Sequence, residues 1–175
     1  TGRLFAYEWS GVTPDIMGIA KGIGGGFPMG ACLATAEAAK GMTAGAHGST
    51  FGGNPLAMAV GNAVMDIVSR PEFLEHVRRM GIYLKQRLAS VVDAHSTVVA
   101  EVRGEGLLIG LRCVAPVPDV LAALRDQGLL AAGAGENVLR LLPPLIVGEA
   151  EIDAAVTRLD AALSALEHGR KQAAE

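Results

Sequence analysis

No run of basic residues longer than two occurs in this 175-residue sequence, and the net charge is −3. With a pI near 5.8, that balance argues against nucleic acid or an anionic membrane surface as the main partner. No apolar stretch approaches the roughly 20 residues that a bilayer-spanning helix needs. Only two cysteines are present, Cys32 and Cys113. They form no CxxC pair and no Cys/His cluster with metal-ligand spacing, so no metal site is expected. Both lie in apolar, strand-like contexts, which predicts buried, reduced thiols in a cytoplasmic protein. A secretory signal, an internal repeat and a low-complexity linker are also missing. The opening Thr1-Gly2-Arg3 lacks even an initiator methionine and reads as the middle of a longer chain, with an N-terminal portion expected ahead of it.

What is present suits a packed α/β protein. Half the residues are hydrophobic and 19% are charged, as a core with a polar surface requires. The N-terminal third is read as short strands and loops. Asp15 to Ala20 and Gly30 to Thr35 are apolar runs bounded by Gly and Pro, the pattern of buried strands. An Ala-rich turn around Glu37 to Lys40 and a polar glycine loop, Gly45 to Pro55, follow. Asn54-Pro55 opens a long helix, because Asn caps well and Pro is tolerated at the first helical position. A second helix, roughly Glu72 to Asp93, places Phe73, Val77, Met80, Leu84, Leu88 and Val91 on one face and Arg78, Lys85 and Arg87 opposite. From Val98 the pattern predicts a strand pair joined through Gly104 and Gly106, and then a helix closed by Gly128. Two short strands and a final helix from Gly148 to Gly169 follow, with acids in that helix's first turn. The closing residues Arg170 to Glu175 are expected to fray. The domain boundary is placed near Ser69, dividing residues 1–69 from 70–175.

Three places carry chemistry. Lys21 sits among Val12, Ile16, Met17, Ile19 and Ile23 in sequence; burial in such company favours the neutral, nucleophilic amine that Schiff-base formation with an aldehyde requires. The plain alternative is a lysine that snorkels out at a strand end. Gly22, Gly24, Gly25 and Gly26 permit close backbone approach to a ligand, but they match neither a P-loop nor a GxGxxG fingerprint. In the second loop, Ser49 and Thr50 place hydroxyls just ahead of a helix N-terminus, which makes an anion site or simply a capped turn. Arg140 is the lone charge in an apolar strand before Pro143-Pro144. A buried arginine there would clamp a carboxylate in two-point fashion, or pair with Glu136 or Glu105.

Four strings, Gly2–Thr35, His47–Val64, Val102–Leu111 and Asn137–Val147, resemble, in order and spacing, the class III (ornithine-aminotransferase-like) pyridoxal-phosphate aminotransferases. The likeness is strongest to the acetylornithine-specific branch. It implies the C-terminal part of a fold type I transferase: the end of a large α/β domain plus a small α+β domain. It also implies that Lys21 forms the Schiff base with pyridoxal 5′-phosphate and then shuttles a proton. Thr50, helped by Ser49, would bind the cofactor phosphate, reaching across a homodimer interface to the partner's site. Arg140 would grip the substrate α-carboxylate.

The reaction so implied moves an amino group from N-acetylornithine to 2-oxoglutarate, in arginine biosynthesis. Succinylornithine, ornithine or 4-aminobutyrate are alternative donors, and a non-catalytic remnant or assembly partner is the alternative from another class. The family's cofactor-binding aspartate, its glycine-rich phosphate loop and its ring-stacking aromatic lie upstream of Thr1. The 175 residues by themselves are therefore expected to lack transaminase activity.

Overall fold

The computed structural model describes residues 1–172. The chain separates into two compact units, one spanning Arg3–Leu74 and the other running from Glu75 onward together with Thr1–Gly2.

In the first unit, β1 (Ile16–Ala20) and β2 (Gly30–Ala34) form an antiparallel ribbon in which Ile16 faces Ala34 and Ala20 faces Gly30. A tight 3₁₀ turn over Lys21–Gly24 leaves β1. Helix α1 (Pro55–Val68) begins where Asn54 Oδ1 accepts the Ala57 N–H at 2.9 Å, the cap expected of Asn before Pro. The strands lie where the sequence puts them, but their burial does not follow. β2 is exposed along its length, and Ile16 on β1 remains 61% exposed. A two-stranded ribbon buries its side chains only where another layer covers it. Here α1 packs against the turn after Lys21 rather than across the ribbon. Cys32 on β2 is consequently exposed, contrary to the buried thiol expected. Cys113 is buried, and that burial pushes its thiol's pKa up.

The second unit is a four-stranded antiparallel sheet in the order β3-β4-β6-β5. Its strands are β3 (Val99–Glu105), β4 (Leu108–Cys113), β5 (Ala132–Ala134) and β6 (Val138–Leu141). The helices are α2 (Pro71–Ala94, which begins in the first unit), α3 (Val117–Asp126) and α4 (Glu149–Gln172). Alternation along β4 and β6 turns Ile109, Leu111 and Leu139 inward, each almost wholly shielded from water. Val77, Leu84 and Leu88 of α2, Val120 and Leu124 of α3, and Ile152, Leu159 and Leu163 of α4 complete this core. Each such side chain contributes about 1.5–3 kcal/mol of transfer free energy. The face predicted for α2 is the buried face, apart from Phe73, which is half-buried.

Polar contacts tie α2 to α4. Asp153 on α4 takes the Tyr83 hydroxyl at 2.9 Å and Arg87 Nε at 2.9 Å. The helix does not stop at Gly169, where the tail was expected to begin. α4 runs through Gln172, because no breaker follows Gly169 and Arg, Lys and Gln are good helix formers. The rest of the expected tail, residues 173–175, lies outside the described residues.

His95, just past the end of α2, is 5% exposed. Its Nε2 lies 2.9 Å from Asp160 Oδ1 and its Nδ1 lies 3.2 Å from Glu167 Oε2, both on α4. Burial opposes the charged ring, but hydrogen bonds to the two carboxylates outweigh it and raise the imidazole's pKa. A raised folded-state value stabilises the fold fully below the unfolded imidazole's value of about 6.5. That contribution is lost as pH climbs through the folded value. Thermal melts of the wild type should therefore fall as pH rises from about 6.5, and His95→Gln should flatten that slope. Equal slopes in the two proteins would remove His95 as the cause.

Candidate functional site

Lys21 is the first residue beyond β1. Ala20 is fully extended, and Lys21 then turns to φ +61°, the left-handed region. For a residue with a Cβ that geometry costs about 1–2 kcal/mol. It is held on one side by the β1–β2 ladder, where Ala20 faces Gly30. On the other side, the Gly25 N–H bonds to the Gly22 carbonyl and the Phe27 N–H to the Gly24 carbonyl, at 3.1 and 2.8 Å. The side chain borders an open concavity lined by Ala20, Gly26, Phe27, Pro28 and Met29. Lys21 is exposed, so the apolar residues around it in sequence do not enclose it. The ribbon that carries them is itself uncovered. Among the described residues no ion pair or hydrogen bond engages its amine.

The glycines after Lys21 seat this turn on α1. Gly25 has φ +54°, and a Cβ there would come within 2.9 Å of Val64 Cγ2. A Cβ at Gly61 of α1 would in turn press on the Met29 side chain at 2.9 Å. Close approach is thus realised between two parts of the same unit, and Gly supplies it at position 25 without the strain that a Cβ would bring.

Ser49 and Thr50 lie in the exposed loop that leads into α1. The Ser49 carbonyl accepts the Gly52 N–H at 3.2 Å and the Phe51 carbonyl accepts the Asn54 N–H at 3.3 Å. These bonds fold the loop back on itself and leave Phe51 81% exposed. Neither hydroxyl is engaged by another described residue. Two free hydroxyls before a 14-residue helix whose N-terminus carries partial positive charge fit an anion such as a phosphate. Lys21, Ser49 and Thr50 therefore share one compact unit, and Arg140 belongs to the other.

Arg140 sits on β6, facing Gly110 of β4 on one side and Ala132 of β5 on the other. It is exposed, because alternation turns Leu139 into the core and Arg140 to the opposite face. The buried arginine expected from its apolar neighbours is corrected by that strand period. The structural ion pairs considered for it do not form. Glu136 lies 3.5 Å from Arg103, and Glu105 pairs with Lys85 at 3.1 Å. Glu101 takes Arg103 and Arg112 on the same face, and Arg103 holds its carboxyl below the usual range. Among the described residues the Arg140 guanidinium has no partner.

One residue near this strand escaped the sequence reading. Asn137, with φ +58°, accepts the Val117 N–H at the start of α3 through Oδ1. Its amide donates to the Cys113 and Ala115 carbonyls, each at 2.8 Å. Asn tolerance of left-handed backbone was the available signal. Partners some 20 residues away were not readable.

Residues 1–163 match the family described as aminotransferase class-III. The chain is 61% identical to acetylornithine aminotransferase 1 of Bradyrhizobium diazoefficiens and 63% identical to acetylornithine aminotransferase of Mesorhizobium japonicum. Each match covers 95% of this chain but only 41% and 42% of those relatives. The chain thus spans about two fifths of the curated relatives it matches. Among solved structures, N-acetylornithine aminotransferase from Stenotrophomonas maltophilia superposes with a TM-score of 0.85 at 34% identity. That match covers 97% of this chain and 44% of the other. Ornithine aminotransferase from Toxoplasma gondii, described with partial occupancy of PLP at its active site, gives 0.89 at 31% identity, over 98% and 42% of the two chains. The chain belongs to the class-III aminotransferase family, and its fold is that of the C-terminal part of the fold type I transferases.

Proposed function

We propose that this chain forms the lysine- and carboxylate-binding part of an aminotransferase that uses pyridoxal 5′-phosphate and moves an amino group from N-acetylornithine to 2-oxoglutarate. The observation that carries the reading is the left-handed backbone of Lys21 at the end of β1. A strained residue held by a strand ladder on one side and a hydrogen-bonded turn on the other points to a demand of function on that position.

When bound, the cofactor supplies an aldehyde carbon and a ring that withdraws electrons from the substrate carbon. Lys21 Nζ is the amine that would hold the group through that aldehyde. The same amine, free and neutral, would be the general base that takes the proton from the substrate's reacting carbon and holds it on Nζ for return. The Ser49 and Thr50 hydroxyls donate to a phosphate, which orients the ring; in a homodimer that phosphate would belong to the partner's site. Arg140 supplies two parallel N–H donors to a carboxylate.

Substrate chemistry says which carboxylate. The α-amine of N-acetylornithine is blocked by its acetyl group, so its free amine is terminal and the reacting carbon carries no carboxylate. The keto carbon of 2-oxoglutarate does carry one. Arg140 therefore serves the acceptor half-reaction. Arg140→Lys in the full-length protein should raise KM for 2-oxoglutarate about 10²-fold, as expected for losing a charge-assisted bidentate contact worth about 3 kcal/mol. KM for N-acetylornithine should move far less. Comparable rises for both substrates would overturn this role.

The activity itself is tested by measuring kcat/KM of the full-length protein for four donors: N-acetylornithine, N-succinylornithine, ornithine and 4-aminobutyrate. A preference for N-acetylornithine is expected, and a preference for any of the others would displace it. The relatives named as acetylornithine aminotransferases, at 61% and 63% identity, favour that donor.

A further inference from the structure

β5 and β6 form a hairpin closed by residues 135–137, with Ala134 facing Val138. So short a turn fixes the two strands against each other. It does not fix where the hairpin lies along β4, the strand on the other side of β6. Apolar alternation leaves that open too. A slip of one residue would turn Arg140 into the core, at a prohibitive cost. A slip of two keeps every face. It merely exchanges Leu139 for Leu141 against a β4 whose inward residues are Ile109, Leu111 and Cys113. Arg140 would then move about 6.5 Å along the sheet with the core pattern intact.

Asn137 removes this ambiguity. The Cys113 N–H donates to the Asn137 carbonyl at 2.9 Å, and the Asn137 side-chain amide donates back to the Cys113 carbonyl at 2.8 Å. The two residues thus exchange two bonds, as a hydrogen-bonded antiparallel pair does, one of them through a side chain. The same amide donates to the Ala115 carbonyl at 2.8 Å, and Oδ1 accepts the Val117 N–H at 2.9 Å. These partners stand where β4 ends and α3 begins, so a shifted hairpin would give up all three side-chain bonds. Val138, packed over Gly110, adds an apolar contact to the same register but no directional one.

We infer that Asn137 is a positioning residue for the amino acceptor, locking the hairpin onto β4 in the register that presents Arg140 to the carboxylate of 2-oxoglutarate. The inference rests on the proposed role of Arg140. No described residue holds that guanidinium, so the backbone register alone sets where it stands. A two-point grip on a planar carboxylate tolerates little displacement.

Asn137 also joins β4, the hairpin and α3, which is a purely structural reason for the residue, and the test separates the two. Both variants are made in the full-length protein. Asn137→Gly keeps the left-handed backbone and loses all three side-chain bonds. Asn137→Asp tolerates the same backbone and keeps the acceptor for Val117, but loses both donations. It decides the matter if the glycine variant does not fold. Each is expected to lower kcat/KM for 2-oxoglutarate about tenfold or more, since an ångström of misplacement can cost about 10²-fold. kcat/KM for N-acetylornithine should stay within about threefold, because its reacting carbon brings no carboxylate to Arg140. Hydrogen exchange should quicken at the β6 amides and stay slow in α2 and α4.

Equal losses for both substrates would mark a structural role and overturn the inference. So would an unchanged kcat/KM for 2-oxoglutarate, or unchanged exchange in β6. Arg140→Lys, measured alongside, shows which premise has failed. If it lowers kcat/KM for 2-oxoglutarate and the Asn137 variants do not, the register lock falls and the arginine's role stands. If it does not, both fall.

Discussion

Lys21→Ala in the full-length protein is expected to lower kcat by about 10³-fold or more, since a positioned proton-transfer group alone contributes about 10²–10⁴-fold. The same change should abolish covalent capture of pyridoxal 5′-phosphate. Borohydride reduction in the presence of the cofactor, followed by peptide mass mapping, should place the adduct on residue 21 in the wild type and nowhere in the variant. Lys21→Arg should behave like alanine, because a guanidinium is never deprotonated and cannot serve as the nucleophile. Lys40→Ala is the matched control. Lys40 is an exposed lysine paired with Glu37 on the short turn after β2, and its loss should leave the adduct intact. An adduct that persists in Lys21→Ala would remove the assignment altogether.

The stability readout of the same variants bears on why Lys21 adopts its backbone. Alanine at 21 still has a Cβ in the left-handed region, so Lys21→Ala should change thermal stability little. Glycine, which populates positive φ freely, should relieve part of the strain and raise stability by about 0.5–1 kcal/mol. A residue whose catalytic loss is large and whose replacement by glycine stabilises the fold is held in place for chemistry, not for packing.

The sequence shows most clearly those features that depend on neighbours a few residues away. The 3.6-residue period of α2 identifies Val77, Met80, Leu84, Leu88 and Val91 as its inner face, and all five are buried. Asn54-Pro55 marks the start of α1 to the residue, because capping involves only the first turn. Most strands were equally readable as strands, except that the one expected over residues 128–133 forms only at Ala132–Ala134. Their exposure was not, because an apolar run reports what it could bury and says nothing of whether another layer lies over it. Cys32 and Ile16 are exposed for that reason.

Lys21 and Arg140 illustrate the same limit at the candidate site. Apolar sequence neighbours left Lys21 open between an enclosed amine and one that snorkels out at a strand end, and suggested that Arg140 was buried. In fact β1 ends at one and strand alternation turns the other outward. Gly110 could not be linked to Arg140 without the β4–β6 register, which joins positions 30 residues apart. The residue types and their local settings were legible: a lysine at a strand end, hydroxyls before a helix and an arginine in a strand. Their surroundings were not.

Gly81, inside α2, shows how far packing can override a local preference. A glycine in a helix interior costs about 1 kcal/mol relative to alanine, so replacement should stabilise the chain if the helix were free. It is not free. A Cβ at 81 would lie 2.6 Å from three backbone atoms of Gly106, in the turn between β3 and β4. Backbone cannot rotate aside as a side chain can, and the turn has nowhere to retreat. Gly106 has φ +56°, and a Cβ there would lie 2.7 Å from the Thr1 backbone. The adjoining Gly2 carbonyl is itself held by Arg78 Nη1 of α2 at 2.6 Å. Helix, turn and N-terminal residues form a stack of backbone with no slack.

Forcing in a side chain must lift α2 off the sheet and loosen Val77, Leu84 and Leu88 behind it. Overpacking of this kind costs about 1–3 kcal/mol for added methylenes, and a β-branched residue falls at the upper end. Gly81→Val should therefore destabilise the chain by about 3 kcal/mol, lowering Tm by about 6–12 °C at this size. Gly169, near the end of α4, provides the comparison, since a Cβ there meets nothing within 4 Å. Gly169→Ala should raise stability by up to about 1 kcal/mol. The two substitutions alter the same residue type within a helix, so propensity predicts one sign for both. Opposite signs measured by thermal melting would place the cost at the Gly81–Gly106 contact, and a stabilised Gly81→Val would show that the turn yields after all.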